Sequence, residues 1–229
     1  MLFDKWFSLN TKREKLLKKM PPEPLRSFLN TPFPEPEDAI NKLELLTLDF
    51  ETTGLNPLKD KILSIGYSSV TKGIVSLANS RHYIVNTQVE LERDNVQIHS
   101  IMDSEQASGD SLESVVEQLL NDLAGKVMLV HFANIEVNFL KEACLQLYGM
   151  APVFPVVDTL MMAKRRFDLS DTAYDSSRLR LINLREEFEL PPHHEHNALN
   201  DAVATAELFL AMLNKNHQGL KTTLKAIQL

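Results

Sequence analysis

The feature that most constrains this chain is the order of its predicted elements, with strands first and then helices and strands in alternation. β-Branched and aromatic residues are concentrated in four short segments separated by turn residues, ELLTLDF, ILSIGYSSV, GIVSLANS and HYIVNT, which predict an antiparallel meander. Further along, apolar residues at helical spacing alternate with two more strand-like segments, KVMLVHF and FPVVDT. We interpret this order as three strands in a row followed by helix and strand in alternation. It predicts an α/β fold in which a mixed five-stranded sheet, first antiparallel and then parallel, is flanked by helices.

The N-terminal part of the chain differs in composition from the rest. Six of the eleven prolines fall between Pro21 and Pro36, a density that resists both helix and sheet interiors. We therefore predict an extension over residues 1–40, made of a short basic helix around Lys12 to Met20 and a Pro-rich connector. The apolar side of that helix is predicted to contain Leu16, Leu17 and Met20. The helix either packs on its own domain or binds a partner, which is a protein, a nucleic acid or a membrane surface.

Composition and charge limit the class of protein. The 229 residues are 44% hydrophobic, enough for one substantial core, which we place in residues 41–215, with a tail over residues 216–229. The net charge of −7 argues against a protein that coats duplex nucleic acid through a broad basic face. Residues 1–30 carry seven Lys or Arg against three acids, which leaves about −11 for the rest. A polyanion must therefore be bound at a local site where cations offset the acids.

Two features concern the compartment. Cys144 is the single cysteine and cannot form an internal disulfide, so we interpret it as a small buried hydrophobe in a reducing environment. No apolar run approaches the ~18 residues of a membrane span, and the N-terminus lacks the order of a signal peptide. We therefore expect a soluble, cytoplasmic protein.

Two carboxylates stand at alternate positions of the first predicted strand, in LTLDFETTGLNP. Asp49 and Glu51 point to one face of a strand, whereas Leu48 and Phe50 point to the other. Two close carboxylates repel each other unless a cation lies between them, so the pair indicates a divalent metal. The residues that follow, Thr52, Thr53 and Gly54, can bring backbone N–H groups close to a phosphate or sugar.

Two later segments place acids at helix starts. In HFANIE, Asn134 is a predicted N-cap and Glu136 lies in the first helical turn. The alternative for Glu136 is a surface acid that the positive end of the helix dipole stabilises. In HHEHNALND, Asn197 is a predicted helix cap, and His196 precedes Asp201 by five residues, a spacing suited to a metal ligand or proton acceptor. The neighbouring histidines 193 and 194 are interpreted as solvated loop residues.

The motifs DFETTGL, HFANIE and HNALND, in this order, resemble the DnaQ-like 3′ to 5′ exonucleases of the DEDDh type, related to the DNA polymerase III epsilon subunit. The resemblance covers about residues 43–213 and implies a ribonuclease-H-like fold. In the second motif the family usually has His-Asn-x-x-Phe-Asp, whereas this chain has Phe132 for the Asn and Glu136 for the Asp.

The resemblance implies roles for individual residues. Asp49 would bridge two Mg²⁺ or Mn²⁺ ions, Glu51 and Asp201 would bind the first, Glu136 would stand toward the second, and His196 would be the general base. These ions prefer carboxylate oxygens, and a pair of them suits in-line displacement at phosphorus. The predicted contacts to the terminal nucleotide are the Thr52–Gly54 turn, including the Thr53 backbone, stacking by Leu55, and His99, which is otherwise a plain loop histidine.

The predicted activity is therefore metal-dependent hydrolysis at the 3′ end of single-stranded nucleic acid, DNA favoured over RNA, with release of nucleoside 5′-monophosphates. The alternative is a weakened or inactive exonuclease fold that binds nucleic acid or acts as an accessory subunit, held by a protein partner of the N-terminal helix. Residues 164–185 carry six Lys or Arg against three Asp and either contact the strand backbone or form a solvated face. We interpret Phe167, Tyr174 and Phe188 as core or surface residues rather than base platforms.

Overall fold

A computed structural model describes residues 8–87, 106–169, 173–216 and 218–229. Their strands form one five-stranded sheet in the order β3-β2-β1-β4-β5. β1 pairs antiparallel with β2, and β2 with β3, whereas β4 runs parallel to both β1 and β5. The predicted mixed sheet is confirmed. The strands are β1 (Glu44–Thr52), β2 (Ile62–Thr71), β3 (Ile74–Ile84), β4 (Val127–Val130) and β5 (Val156–Asp158).

β3 corrects one detail of the predicted meander. The segments GIVSLANS and HYIVNT form a single long strand instead of two. Its pairing with β2 shifts register between Tyr67 and Ser69, so the strand continues past an irregularity that has the appearance of a turn in the sequence.

Helices cover both faces of the sheet. One buried cluster contains Leu48 and Phe50 of β1, and the other contains Leu45 of the same strand, so the alternation along β1 separates the two cores. Cys144 is fully buried in the first cluster, as predicted, and burial raises the pKa of its thiol to about 12. The helices are α1 (Leu9–Leu17), α2 (Leu25–Asn30), α3 (Leu112–Leu123), α4 (Asn134–Tyr148), α5 (Thr159–Leu169), α6 (Leu181–Glu187), α7 (Ala198–Asn216) and α8 (Leu224–Ile227).

The N-terminal helix lies earlier in the chain than predicted. α1 begins after Ser8, whose side chain accepts a hydrogen bond from the Thr11 N–H, and ends at Leu17. Met20 lies beyond the helix with φ of 54° and is 80% exposed, so its predicted place on the apolar side of the helix is wrong. Leu16 and Leu17 do pack against the core.

The remainder of the N-terminal segment also packs on the sheet. Leu25, Phe28 and Phe33 are buried in the same cluster as Leu48. The Asn10 side-chain amide donates to the Phe33 carbonyl at 3.0 Å and accepts from the Phe33 N–H at 2.9 Å, which ties α1 to the connector. The described part of residues 1–40 thus forms part of one wall of the domain.

The C-terminal segment lies against the edge of the sheet formed by β5. Leu224 and Ile227 of α8 are buried, and the Leu229 N–H donates to the Val156 carbonyl at 3.0 Å beside β5. Within the described ranges, no helix is both long and apolar enough to span a membrane.

Candidate active site

The site begins on one face of the central strand β1. Glu51 is buried and Asp49 is half-buried, and both project on the same side as Thr47, because side chains alternate along a strand. The opposite side of β1 carries Leu48 and Phe50 into the core, as the sequence predicted. The two acids therefore project from the face of the sheet on which helix α7 packs.

Helix α7 brings the third acid to this face. The Thr47 hydroxyl donates to the Ala202 carbonyl at 2.7 Å, which fixes the first turns of α7 on β1. Gly66, opposite Asp49 on β2, lies so close that an added Cβ would come within 2.1 Å of the Leu199 nitrogen and 2.2 Å of the Ala198 carbonyl carbon. Glycine at this position therefore allows the close approach that places Asp201 beside β1.

The three carboxylates converge. One oxygen from each of Asp49, Glu51 and Asp201 lies within 4.8 Å of the others. Burial, and then the charges of Glu136, Asp201 and Glu51, raise the pKa of Asp49 well above its usual range. Burial also raises the pKa of Asp201, against the opposing influence of His193. A cluster of oxygen donors whose negative charges disfavour one another fits a hard divalent cation, which removes that repulsion.

Glu136 lies in the same cavity but outside this group of three. It is 2% exposed, and its Oε2 has no hydrogen-bond partner among the described residues. Burial is the main cause that raises the pKa of its carboxyl above the usual range. Glu136 is thus no surface acid at a helix start, and its unpartnered oxygen also fits a cation in the cavity.

The start of α4 differs from the predicted cap. Asn134 is the first helical residue rather than the N-cap, and its side chain accepts from Asn138 at 2.8 Å. The turn before the helix is held instead by Asp158 at the end of β5, whose carboxylate accepts from the N–H groups of Phe132 at 3.0 Å and Ala133 at 2.9 Å. Phe132 has φ of 72° and is 44% exposed.

Two histidines contact Asp201, and one of them differs from prediction. His193, interpreted from sequence as solvated, is largely enclosed, with Nε2 2.9 Å from Asp201 Oδ1. His194 is exposed, as expected. The backbone N–H of His196 donates to Asp201 Oδ2 at 2.8 Å, and the residue has φ of 64° and lines the cavity. Asn197 caps α7 as predicted, because its side chain accepts from the Asn200 N–H at 3.1 Å.

The turn after β1 forms the rim of the cavity. The Thr53 N–H donates to the Lys61 carbonyl at 2.9 Å, so it is used within the turn and is not directed at a ligand as predicted. A Cβ added at Gly54 would lie 2.5 Å from a carboxylate oxygen of Asp60, so the Asp60 side chain would have to move to admit a larger residue. Leu55 is 76% exposed at the rim.

These residues share one cavity of about 420 Å³. Its lining includes all of the predicted site residues that the structure describes, Asp49, Glu51, Thr52, Thr53, Gly54, Leu55, Glu136, His196 and Asp201. His99 lies outside the described residues. His131 also lines the cavity, with Nδ1 2.8 Å from the Thr159 hydroxyl and Nε2 3.0 Å from the Leu179 carbonyl, and burial lowers its pKa to about 4.

The basic segment at 164–185 is involved mainly in internal contacts. Glu187 forms ion pairs with both Arg166 and Arg178, and Arg185 is 3% exposed and bonded to the Ala204 carbonyl at 2.7 Å. For Arg185 the interpretation as part of a solvated face is wrong, because it links α6 to α7. Phe167 is a buried residue, as interpreted.

Sequence reasoning missed four residues that build the site, Thr47, Gly66, Asp158 and His193. Gly66 interrupts a β-rich segment, and an isolated glycine in a strand often marks a close backbone approach. Asp158 ends a predicted strand immediately before a helix, a position typical of a backbone-binding acid. Thr47 and His193 left no comparable signal, since Ala202, the partner of Thr47, is distant in sequence, and Asp201, the partner of His193, lies across an irregular loop.

Comparisons with known proteins identify relatives of this chain. The model of the exonuclease family RNase_T matches residues 46–209. The chain is 32% identical over 181 residues to a PolC-type DNA polymerase III of Caldanaerobacter subterraneus subsp. tengcongensis, an alignment that covers 78% of this chain and 12% of the polymerase. The chain thus matches only a small part of the length of such polymerases.

A smaller relative and a solved structure match over most of their lengths. The DNA polymerase III subunit epsilon of Rickettsia felis is 24% identical over 199 residues, which covers 82% of each chain. The nuclease domain of 3′hExo, described as a DEDDh family member bound to rAMP, superposes with a TM-score of 0.63 at 15% identity and covers 76% of this chain and 92% of that domain. The latter similarity concerns the fold.

Proposed function

This chain belongs to the exonuclease family, as its resemblance to the DEDDh type predicted, and from this premise we propose that it removes nucleoside 5′-monophosphates from the 3′ end of single-stranded nucleic acid. The observation that carries the proposal is the convergence of Asp49, Glu51 and Asp201 within 4.8 Å in a cavity also lined by Glu136 and His196. DNA is the favoured polymer because the relatives are named as DNA polymerase III components.

The acids divide into two sets. Asp49, Glu51 and Asp201 would hold one divalent ion, and Asp49 with Glu136 would hold a second. When bound, Mg²⁺ or Mn²⁺ supplies Lewis-acid activation of water and neutralises charge on the phosphate. Asp49 interacts electrostatically with Glu136, Asp201 and Glu51. The contacts of Thr47 and Gly66 with α7 keep Asp201 in reach.

The remaining groups handle the proton and the substrate. His196, on an exposed loop over the cavity, accepts the proton of the attacking water on an imidazole nitrogen. The exposed Leu55 packs against the terminal base, and groups of the turn from Thr52 to Gly54 other than the Thr53 N–H contact its sugar and phosphate. These roles need a single strand, because the terminal base has to leave its stack to reach Leu55.

The test uses short labelled DNA and RNA strands incubated with Mg²⁺ or Mn²⁺. We expect a ladder of 3′-shortened products, stronger with DNA, and loss of the ladder with Asp49→Asn. The alternative of a nucleic-acid-binding or accessory subunit is supported by the position of Glu136 outside the group of three acids. That alternative replaces ours if neither polymer is shortened while wild type and Asp49→Asn bind it equally.

An accessory role would also need a protein partner for the N-terminal helix. Because α1 packs on its own domain, such a partner would meet only its outer surface and the exposed residues that follow it, Lys18, Lys19 and Met20. A pull-down with and without charge reversal at Lys18 and Lys19 tests this role.

A further inference from the structure

A second depression lies beside the active-site cavity. It is a groove of about 530 Å³ whose walls are mainly apolar and come from α4, the segment before β5, the start of α5, and two parts of the chain distant in sequence, α1 and Leu229. We refer to it as the α1 groove. Its lining includes Leu9, Lys12, Phe132, Lys141, Phe154 and Leu229.

The α1 groove and the active-site cavity share one partition. Phe132, Ala133 and Asn134 line the groove, whereas Ile135 and Glu136 line the cavity. The first turn of α4 therefore has one side toward each depression, and the exposed ring of Phe132 stands at their boundary. A strand whose 3′ end occupied the cavity would therefore reach the groove by crossing the first turn of α4.

The groove also contains two positively charged side chains. Lys12 of α1 and Lys141 of α4 are both half-buried there, and neither forms an ion pair with another described residue. The pKa of Lys141 is lowered by burial and by the nearby charge of Lys12. Asp158, the acid in the lining, is 3% exposed and saturated by backbone N–H groups. Two such ammonium groups favour a bound anion.

The dimensions suit a nucleotide strand. Along α4, Asn134 and Lys141 are seven residues apart, about 10 Å at 1.5 Å per residue. This length corresponds to about three nucleotides at a rise of 3.4 Å each. The apolar lining, which includes the exposed ring of Phe132, can receive bases, and the lysines can contact phosphates. An acidic, apolar peptide would match the charge and the walls but would not explain the shared partition with the cavity.

From these observations, and resting on the proposed function, we propose that the α1 groove binds the nucleotides upstream of the scissile one, with Lys12 and Lys141 on their phosphates. Leu9, Lys12 and Leu229 lie outside residues 46–209, the part matched by the family model. The N-terminal and C-terminal segments thus extend the substrate site of this chain beyond the common domain.

Binding and cleavage are measured separately so that the groove and the catalytic proposal can fail independently. Fluorescence anisotropy in EDTA measures the affinity of wild type for a labelled decanucleotide over a range of salt concentrations. For Lys12→Ala/Lys141→Ala we expect about tenfold weaker binding and a salt slope reduced by about 1.4, since each single-strand phosphate contact contributes about 0.7. Phe132→Asn, whose new residue tolerates positive φ, should also weaken binding.

The matched control is Lys42→Ala/Lys126→Ala, which removes two cations next to the starts of β1 and β4, at the end of the sheet opposite the cavity. It should bind as wild type does. With Mg²⁺, the groove variant should lose the KM advantage of a decanucleotide over a dinucleotide while it keeps its rate on the dinucleotide.

Each outcome decides the matter. Unchanged affinity and salt slope in Lys12→Ala/Lys141→Ala, or no binding by wild type, overturns the groove proposal. If the variant loses binding but wild type shortens no strand, the groove stands and the proposed catalytic function fails.

Discussion

His193 and Asp201 form a nearly enclosed pair, with the ring Nε2 2.9 Å from the carboxylate Oδ1 and side-chain exposures of 10% and 13%. An ionised carboxylate can only accept, so Nε2 is the donor when Asp201 is ionised, and Nδ1 has no partner among the described residues. The second oxygen of Asp201 accepts from the His196 N–H at 2.8 Å. Both contacts orient the acid that α7 brings to the site.

The first prediction is that His193→Ala weakens divalent-metal binding about 10- to 100-fold, the usual effect of removing a group that orients a metal ligand. Titration calorimetry with Mn²⁺ measures it independently of activity. His193→Gln, which can still donate, should recover part of the affinity, and the exposed neighbour His194→Ala should change nothing. Equal affinities for wild type and His193→Ala would exclude this role.

The second prediction concerns Glu136, whose Oε2 is buried without a partner among the described residues. Glu136→Asp should keep or raise the rate of strand shortening, because it restores the acid usual at this motif. Glu136→Ala should abolish the activity, since it removes the ligand toward the second ion. Single-turnover assays with Mn²⁺ compare the three proteins. An alanine variant as active as wild type would remove Glu136 from the site.

The third prediction tests the close approach of α7 to β2. Gly66→Ala places a Cβ within 2.5 Å of three backbone atoms of Ala198 and Leu199, and backbone cannot rotate away as a side chain can. We expect a loss of about 1–3 kcal/mol in the free energy of unfolding, typical of overpacking, and at least a tenfold loss of activity as Asp201 moves. Urea denaturation measures the former.

Ser69→Ala, a half-buried position on the same strand, is the control and should stay near wild type. A Gly66→Ala protein of unchanged stability and activity would show that α7 does not depend on this contact.

The fourth prediction concerns pH. His131 has its pKa lowered by burial from 6.5 to about 4, so the unfolded chain binds its proton before the folded chain does. Stability is therefore unaffected above pH 6.5 and falls as the pH drops from about 6.5 to 4, by about 2 kcal/mol for a half-buried ring. Unfolding free energies across this range should fall less steeply for His131→Gln, whereas the exposed His194→Gln should retain the wild-type slope. Parallel slopes for wild type and His131→Gln would contradict the assignment.

The local sequence pattern was sufficient to predict much of the fold and of the candidate site. Strand alternation alone placed Asp49 and Glu51 on one face and Leu48 and Phe50 on the other, because the two-residue period is a property of the extended backbone. The order of strands and helices determined the mixed sheet for a similar reason, since hairpins pair antiparallel and crossovers pair parallel. The residue types of the motifs, together with their resemblance to a family, indicated which acids are candidate metal ligands.

The tertiary structure decided what depends on contacts between distant segments. Only the packing of α7 on Thr47 and Gly66 brings Asp201 within 4.8 Å of β1, and only the path of the preceding loop turns His193 inward. The α1 groove likewise requires an N-terminal helix and a C-terminal residue to meet beside α4. Periodicity describes how a segment exposes its own side chains, whereas these distances are set by how closely two backbones approach, which no single segment encodes.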